Sequence, residues 1–275
     1  MVPRENHFRT FMLVGTNCGF SVCATNLSER IDYERMNELP KKLFANPVWH
    51  ALQSKHRNFA ICAGDACRYA ADVIPFAAIN APGVEPMLQL QSLFEPGESA
   101  WIIGEEYTVV PGLVRGETLE CLQMVLPDSV GAPDTEIEIV KLSDTNADEM
   151  VALTTLAFPG FFRQRTCEMG SYYGVRSPVG ELIAMGGERL KLDGFTEISA
   201  VCTHPSFRGR GLAAAIIWQV VRKHRNEGVV SWLHVASANR RAAELYLRMG
   251  FEEIRKVTLH RASRELLRSI QIQLP

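Results

Sequence analysis

The chain has 275 residues, of which 47% are hydrophobic and 22% charged, with 29 basic and 31 acidic residues and a formal net charge of -2. This composition is typical of a globular protein with a core, and the balance of charge argues against a nucleic-acid or membrane-surface partner. Seven cysteines without a CxxC pair predict a reduced, cytoplasmic protein, and the apolar stretch at residues 11–15 is too short to span a membrane.

The first half of the chain has short helical and strand patterns but no motif with an assignable chemistry. We interpret residues 1–35 as an N-terminal extension and residues 36–132 as an N-terminal α/β domain of unclear role. The predicted elements of this half are a helix at 49–61 and strands at 99–104 and 119–126. Residues 127–134 are rich in Pro, Gly and Asp, and they are the predicted linker to a second domain at 133–275.

The second half has clearer periodicity, which predicts the order β-α-β-β-β-α-β-α-β and therefore an α/β domain. The predicted strands are 136–142, 171–175, 181–192, 197–203, 229–235 and 251–260, and the predicted helices are 143–157, 212–226 and 239–249. Gly228 and Gly250 follow the last two helices, where a left-handed residue commonly ends a helix.

A glycine-rich turn joins the strand at 197–203 to the helix at 212–226. It carries Arg208-Gly209-Arg210-Gly211 directly before the helix. The first turn of a helix has N–H groups without an internal partner, and glycines let a phosphate approach the backbone closely. The pattern therefore indicates an anion site, and an ordinary glycine-containing turn is an equal alternative for the two glycines alone.

Two common phosphate-binding motifs fit this turn poorly. A Walker loop needs a Gly-Lys pair, which the sequence lacks. Gly209-x-Gly211-x-x-Ala214 matches the dinucleotide-binding fingerprint, but His204 to Arg208 separate it from the strand. The next strand also has no acidic residue at its end to hold a ribose. An oxidoreductase of this type is therefore a distant alternative.

A third family matches better. Arg208-x-x-Gly211-x-Ala213 has the Q/R-x-x-G-x-G/A form of the GNAT superfamily of N-acetyltransferases, and it follows a strand and a His-Pro turn. A second signature runs from Asn239 to Tyr246 and continues in Met249-Gly250-Phe251. Over about residues 135–265 the chain resembles the FR47-like branch of that superfamily. Its two-part layout also resembles the glycine N-acyltransferases.

The resemblance implies a mixed central sheet flanked by helices, acetyl-CoA as co-substrate and no metal. It implies that the backbone N–H of Val201 polarises the acetyl carbonyl. The residues implied in cofactor binding are Val201, Cys202, Thr203, Arg208, Gly209, Arg210, Gly211, Leu212, Ala213, Asn239, Ala242 and Tyr246. Asn239 has the alternative of acting only as a helix cap. His204, His234 and Cys202 lack the spacing of a metal cluster.

The resemblance also suggests two catalytic residues. Glu197 is the candidate base for the incoming amine, with Glu181 and Glu188 as competitors, and a plain surface carboxylate is its alternative. Tyr246 is the candidate acid for the departing thiolate, or else a packing aromatic of its helix. Strand alternation predicts that residues 197, 199, 201 and 203 share one face. Cys202 then lies on the other face as a core thiol rather than a nucleophile.

The predicted activity is direct transfer of an acetyl group to a primary amine of a small molecule, an amino acid or a peptide. The alternatives are an acyl-CoA:amino acid N-acyltransferase and a non-catalytic acyl-CoA-binding module. Three aromatics, Phe158, Phe161 and Phe162, form either an acceptor wall or an anchor on the N-terminal half. That half is compatible with a degenerate second copy of the fold. It lacks an Arg/Gly loop, so we expect one cofactor site per chain, in a monomer or a homodimer.

Overall fold

A computed structural model describes residues 41–104 and 107–266. The predicted N-terminal extension at 1–35 lies outside these residues. Within the described part, 11 strands form one mixed sheet with helices on its faces, in agreement with the predicted α/β class. None of the helices in this part of the chain is long and apolar enough to cross a membrane.

Within residues 41–104 and 107–125, the first half supplies three helices and five strands. These are α1 (Lys41–Ala45), α2 (Pro47–Gln53), β1 (Ala60–Ala63), β2 (Ala66–Tyr69), β3 (Phe76–Ile79), α3 (Val84–Ser92), β4 (Ser99–Ile103) and β5 (Leu113–Val125). The helix predicted at 49–61 ends eight residues early, at Gln53, and Ala60 already belongs to a strand. The helical spacing of apolar residues was overridden because Ala60 to Ala63 pair with β2 in a hairpin.

The second half confirms the predicted order of elements. It consists of β6 (Val140–Leu142), α4 (Ala147–Ala157), β7 (Tyr172–Arg176), β8 (Leu182–Leu192), β9 (Phe195–Thr203), α5 (Leu212–Asn226), β10 (Val230–Ala236), α6 (Arg240–Arg248) and β11 (Glu252–Arg264). The helix α5 begins after Gly211. Its last turn contains the basic residues Lys223, His224 and Arg225, and positive charge at this end interacts favourably with the helix dipole. Its face with Ile216, Val220 and Val221 is buried against the sheet.

The two halves exchange their last strands within the sheet. The strand order is β1-β2-β3-β4-β11-β5-β10-β9-β8-β7-β6. The long strand β5 therefore pairs with β10 of the second half, and β11 pairs with β4 of the first half. A pair of parallel strands joined by a helix lies on each side of the central β5–β11 pair. These strands are β3 and β4 on one side, and β9 and β10 on the other. The predicted division at 132/133 cuts the chain between β5 and β6, whereas the sheet continues across it.

One cysteine pair differs from the sequence expectation. Cys62 and Cys67 lie opposite each other in the β1–β2 hairpin and form a disulfide. The prediction of a fully reduced chain is therefore wrong for this pair, because hairpin register brings together two thiols whose spacing has no recognisable motif. Cys121, Cys167 and Cys202 are free. The cytoplasmic location stays a prediction.

Candidate active site

A cleft opens between the carboxyl ends of β9 and β10. These two parallel strands pair only where Phe195, Thr196 and Glu197 face Val230, Ser231 and Trp232. Both strands continue beyond this point, to Thr203 and Ala236, without pairing to each other. Backbone N–H and C=O groups on the two facing edges are therefore available to a ligand lying between the strands.

A β-bulge in β9 changes which side chains face this cleft. Ala200 has a left-handed φ of 55°, and the register with β8 slips between Ser199 and Cys202. The predicted strict alternation from 197 to 203 is therefore wrong beyond Ser199. Cys202 lies in one cluster with Ala200, while Ile198 belongs to the cluster under α5 and α6. A bulge inserts one residue into a strand and leaves no reliable pattern in the sequence.

The Arg/Gly loop lies where β9 meets α5. Gly209 and Gly211 have φ values of 81° and 76°, in the left-handed region that favours glycine. A Cβ built on either glycine would meet no atom within 4 Å, so the space beside them is open. Gly211 is the N-cap of α5, and no side chain caps the free N–H groups of the first turn. The loop is therefore an open cradle for an anion, and this geometry fits a pyrophosphate.

The arginines and Asn239 surround this cradle with polar groups. The Arg208 Nε donates to Thr203 O at 3.3 Å, and the Arg210 guanidinium lies 4.9 Å from the centre of the Phe207 ring. Asn239 accepts a hydrogen bond from Ala242 N at 3.2 Å and so caps α6. The cap uses only the amide oxygen of Asn239. The side-chain nitrogen of Asn239 is therefore available for the predicted contact with the pantetheine arm of the cofactor.

Tyr246 is almost fully buried on α6. Its ring lies 5.6 Å from Phe251 in an edge-to-face contact, and it belongs to the core cluster that contains Ile198 and Leu233. Burial, with a smaller effect of Glu197, raises the pKa of Tyr246 to about 12. The phenol is therefore neutral across the physiological range.

Glu197 is fully buried and is held by an ion pair. Its oxygens accept from Arg189 Nη2 at 2.5 Å and Nε at 2.9 Å, and Oε1 lies 2.7 Å from His234 Nδ1. Burial alone would raise the pKa of Glu197, but the charge and hydrogen bonds of Arg189, followed by those of His234, lower it to about 2. A carboxylate this weakly basic is poorly suited to take a proton from an amine at neutral pH.

His234 bridges two strands through this network. Since a carboxylate only accepts, the Nδ1 of His234 carries the proton that is donated to Glu197. The Nε2 then accepts from the side-chain amide of Gln123 at 3.0 Å, and that same nitrogen of Gln123 donates to Phe44 O at 2.9 Å. Sequence reasoning missed His234 and Arg189 as partners of Glu197, and Gln123 as a partner of His234, because they come from β10, β8 and β5 and share no motif.

The competing carboxylates have other surroundings. Glu188 is buried, and its Oε1 lies 2.7 Å from Lys223 Nζ and 3.3 Å from His224 Nε2 at the end of α5. Burial opposes ionisation, but hydrogen bonds from His224 and Lys223 hold the pKa of Glu188 well below its usual range. Glu181 is exposed in the turn before β8. The buried Cys202 thiol has its pKa raised to about 12 by burial, which disfavours a thiolate.

The aromatic segment after α4 packs on the first half of the chain. The ring of Phe161 stacks on Trp101 at 5.5 Å and meets Phe76 edge-on at 6.0 Å. Phe162 is buried against Tyr172 of β7, and Phe158 contacts the same cluster. Of the two sequence interpretations, these contacts support the anchor on the N-terminal half for Phe161 alone, because Phe158 and Phe162 pack within the second half. Among the described residues, no group of three His, Cys, Asp or Glu is arranged to hold a metal ion.

Comparisons with known proteins agree with this arrangement. The family model of the FR47-like protein matches residues 172–259, which run from β7 into β11. A protein from Novosphingobium aromaticivorans DSM 12444, described as an acetyltransferase from the GNAT family, is 34% identical. Its structure gives a TM-score of 0.75 and covers 81% of this chain and 98% of its own.

A second solved structure supports the fold alone. The GCN5-related N-acetyltransferase from Kribbella flavida is 18% identical, with a TM-score of 0.52, and the match covers 88% of this chain and 96% of that one. No curated protein matches the chain.

Proposed function

The chain belongs to the GNAT family of acetyltransferases, and from that premise we propose that it transfers an acetyl group from acetyl-CoA to a primary amine of a small molecule, an amino acid or a peptide. The observation that carries the proposal is the open cradle at Gly209 and Gly211, at the mouth of the cleft between β9 and β10. Acetyl-CoA, when bound, supplies an activated acetyl thioester. All other steps belong to residues of this chain.

The cradle and its neighbours would hold the phosphates. The N–H groups of Leu212 and Ala213 in the first turn of α5 would donate to the pyrophosphate, and Arg208 and Arg210 would add positive charge. The unpaired edges of β9 and β10 would bind the pantetheine amides in the manner of a missing strand. The N–H of Val201, just after the bulge at Ala200, would donate to the acetyl carbonyl oxygen and stabilise the charge that develops there.

The transfer forms a C–N bond and breaks the C–S bond, so the amine loses a proton and the departing sulfur gains one. We propose that Tyr246 donates its O–H toward that sulfur, because its phenol is neutral. A phenol with a pKa of about 12 is a weaker acid than a thiol of about 8.5. Hydrogen-bond donation to the developing thiolate is therefore its main contribution, while the amine gives up its proton to solvent and the released thiolate takes one from solvent.

Glu197 acts by position in this proposal. Its buried carboxylate orients Arg189 and fixes the tautomer of His234 beside the point where β9 and β10 separate. The assignment of Glu197 as the base stays a prediction, and its low pKa argues for the positioning role instead.

A panel of amines assayed for free thiol release from acetyl-CoA tests the proposed function. Amino acids, small aliphatic and aromatic amines, and short peptides form its three arms. We expect one arm to give amine-dependent thiol release at saturable concentrations. Tight binding of coenzyme A without turnover on any arm would instead support a binding module, and absence of coenzyme A binding would contradict the proposal.

A further inference from the structure

The first half of the chain has a cavity of its own, of about 430 Å³. It lies at the carboxyl ends of β3 and β4, which pair in parallel only at Phe76 and Ala77 and then continue unpaired to Ile79 and Ile103. This is the same place in the first half as the cleft between β9 and β10 in the second. Open α/β sheets bind ligands beyond the carboxyl ends of their parallel strands, and this volume is within the usual range of small-molecule sites.

The loop at this cavity is unsuited to a second pyrophosphate. It has the sequence Asn80-Ala81-Pro82-Gly83, without a basic residue, and the helix α3 that follows has Glu85 in its first turn. The carboxylate of Glu85 disfavours another anion at that helix end. A Cβ on Gly83 would also meet the ring of Pro86 at 3.3 Å, whereas Gly211 faces open space.

The lining of the cavity combines an apolar wall with charges of both signs. Ile79 and Ile102, which belong to one core cluster, line it on the side of β3 and β4. On the side of the two exchanged strands, it is lined by Arg255 and Lys256 of β11 and by Glu120 of β5, which lies opposite Thr258. Strand alternation places Lys256 and Glu120 on the same face as Ile102, and Arg255 on the opposite face. In the part of the chain that the structure describes, no ion pair includes any of these three charged groups. Lys256 and Glu120 thus place one cation and one carboxylate on the same face of the sheet at this cavity, without an ion pair between them.

We propose that this cavity is a second ligand site, which binds a small zwitterion with an apolar body, of the amino-acid type. The carboxylate of the ligand pairs with Lys256, its ammonium pairs with Glu120, and its apolar body packs on Ile79 and Ile102. The site is separate from the transfer site, because β5 lies between the cavity and the cleft of β9 and β10. The inference does not depend on the transfer reaction, and it is tested without acetyl-CoA.

Calorimetry on the full chain with L-leucine as the probe measures the binding. The two matched analogues are 4-methylpentanoate, which lacks the ammonium, and 3-methylbutylamine, which lacks the carboxylate. We expect leucine to bind, and each analogue to bind at least about tenfold more weakly, since each loses a charged hydrogen-bonding group. Absence of leucine binding, or equal binding of either analogue, would overturn the inference.

Variants of the cavity residues test whether the ligand binds in this cavity. Glu120→Gln and Lys256→Gln should each weaken leucine binding by about tenfold or more. The matched control is Lys141→Gln, which also removes one exposed lysine charge but lies outside the cavity. Pro82→Trp, which fills the exposed rim, tests the site without a charge change. Unchanged binding in these cavity variants, or displacement of leucine by saturating coenzyme A, would show that the ligand lies elsewhere.

Discussion

At the scale of single residues, Gly211 provides the test of coenzyme A binding. It has a φ of 76°, so any other residue at this position would strain the backbone. A Cβ there would meet no protein atom, so a side chain would occupy only the space proposed for the ligand. We expect Gly211→Val to lower the free energy of unfolding by about 1–2 kcal/mol. We also expect it to weaken coenzyme A binding at least tenfold, as measured by calorimetry.

Gly228 is the matched control for this change. It follows the other end of α5 with a φ of 68°, and it too faces open space. Gly228→Val should therefore cost similar stability and leave coenzyme A affinity unchanged. Equal coenzyme A affinities in the two variants would show that the cradle is not part of the cofactor site. Binding of NADH by the wild type would instead support the dinucleotide-binding alternative.

Tyr246 makes the catalytic proposal testable. Tyr246→Phe keeps the ring packed against Phe251 and removes only the hydroxyl, so folding and coenzyme A affinity should change little. The turnover number should fall by about 10² to 10³, as on loss of one preorganised donor to a developing negative charge. Single-turnover kinetics would check this, and full turnover in the variant would reduce Tyr246 to a packing residue.

The pH dependence of this effect follows from burial. Because the pKa of Tyr246 is raised to about 12, its phenol stays protonated until the pH approaches that value. The ratio of wild-type to Tyr246→Phe turnover should therefore be constant from about pH 7 to about pH 10, where an unperturbed tyrosine would already ionise. A ratio that collapses near pH 10 would contradict a buried phenol.

Substitution of Glu197 distinguishes a positioning role for its carboxylate from a role as the catalytic base. Glu197→Gln leaves the buried Arg189 without its anionic partner, and breaking a buried pair typically costs about 3–5 kcal/mol. Urea unfolding at neutral pH should show this loss, whereas Glu181→Gln, at an exposed position, should show little change. A variant that lost turnover at full stability would instead support Glu197 as the base.

Acid unfolding provides a second measure of the same pair. The pKa of Glu197 is about 2 in the folded protein and near 4.5 in the unfolded chain, so the unfolded chain takes up the proton first. The stability that Glu197 contributes is therefore complete above about pH 4.5 and is lost as the pH falls toward about 2. In Glu197→Gln, the decline in stability over this window should be shallower than in the wild type.

At the scale of elements, the segment between α4 and β7 connects the two halves. Besides the stacking of Phe161 on Trp101, the Thr166 hydroxyl donates to Val73 O at 2.6 Å and Arg165 N donates to Asp72 O at 2.9 Å. These contacts fix the segment on the first half. A wall of the acceptor pocket would instead leave the ring of Phe161 open to a ligand.

Phe161→Ala tests the anchor. We expect a loss of about 2–3 kcal/mol in unfolding free energy, below the range for a fully buried phenylalanine because Phe161 is only half-buried. The KM for the amine should stay unchanged, and Leu156→Ala on the exposed face of α4 should affect neither quantity. A higher KM without loss of stability would favour the acceptor wall.

At the scale of the whole molecule, the exchanged strands tie the halves together. Removal of residues 1–132 would take β5 from between β10 and β11 and leave both without that partner. We therefore expect the fragment 133–275 to show no cooperative unfolding and no coenzyme A binding. Co-expression with residues 1–132 should restore both properties.

A cut chain is the control for this experiment. Cleavage within the linker at 127–134 leaves every strand present, so the nicked protein should keep its fold and its coenzyme A affinity. A fragment 133–275 that folded alone and bound coenzyme A would show that the sheet of the second half is complete without β5.

The order of elements after residue 135 and the position of the Arg/Gly loop were readable from the sequence. Both depend on neighbouring residues: apolar spacing, the caps at Gly211 and Asn239, and glycines after helices. The family motif is equally local, because the phosphate cradle is built from one continuous turn. The same local reading failed at residues 54–61, where pairing with β2 overrode the helical pattern.

The tertiary structure alone decided the surroundings of the candidate catalytic groups. The bulge at Ala200, the burial of Glu197 between Arg189 and His234, and the exchange of β5 and β11 all depend on contacts between distant segments. A carboxylate at the start of a strand looks the same in sequence whether it faces solvent or an arginine. Its pKa is set by burial and by charges from other strands, and those distances exist only in the folded chain.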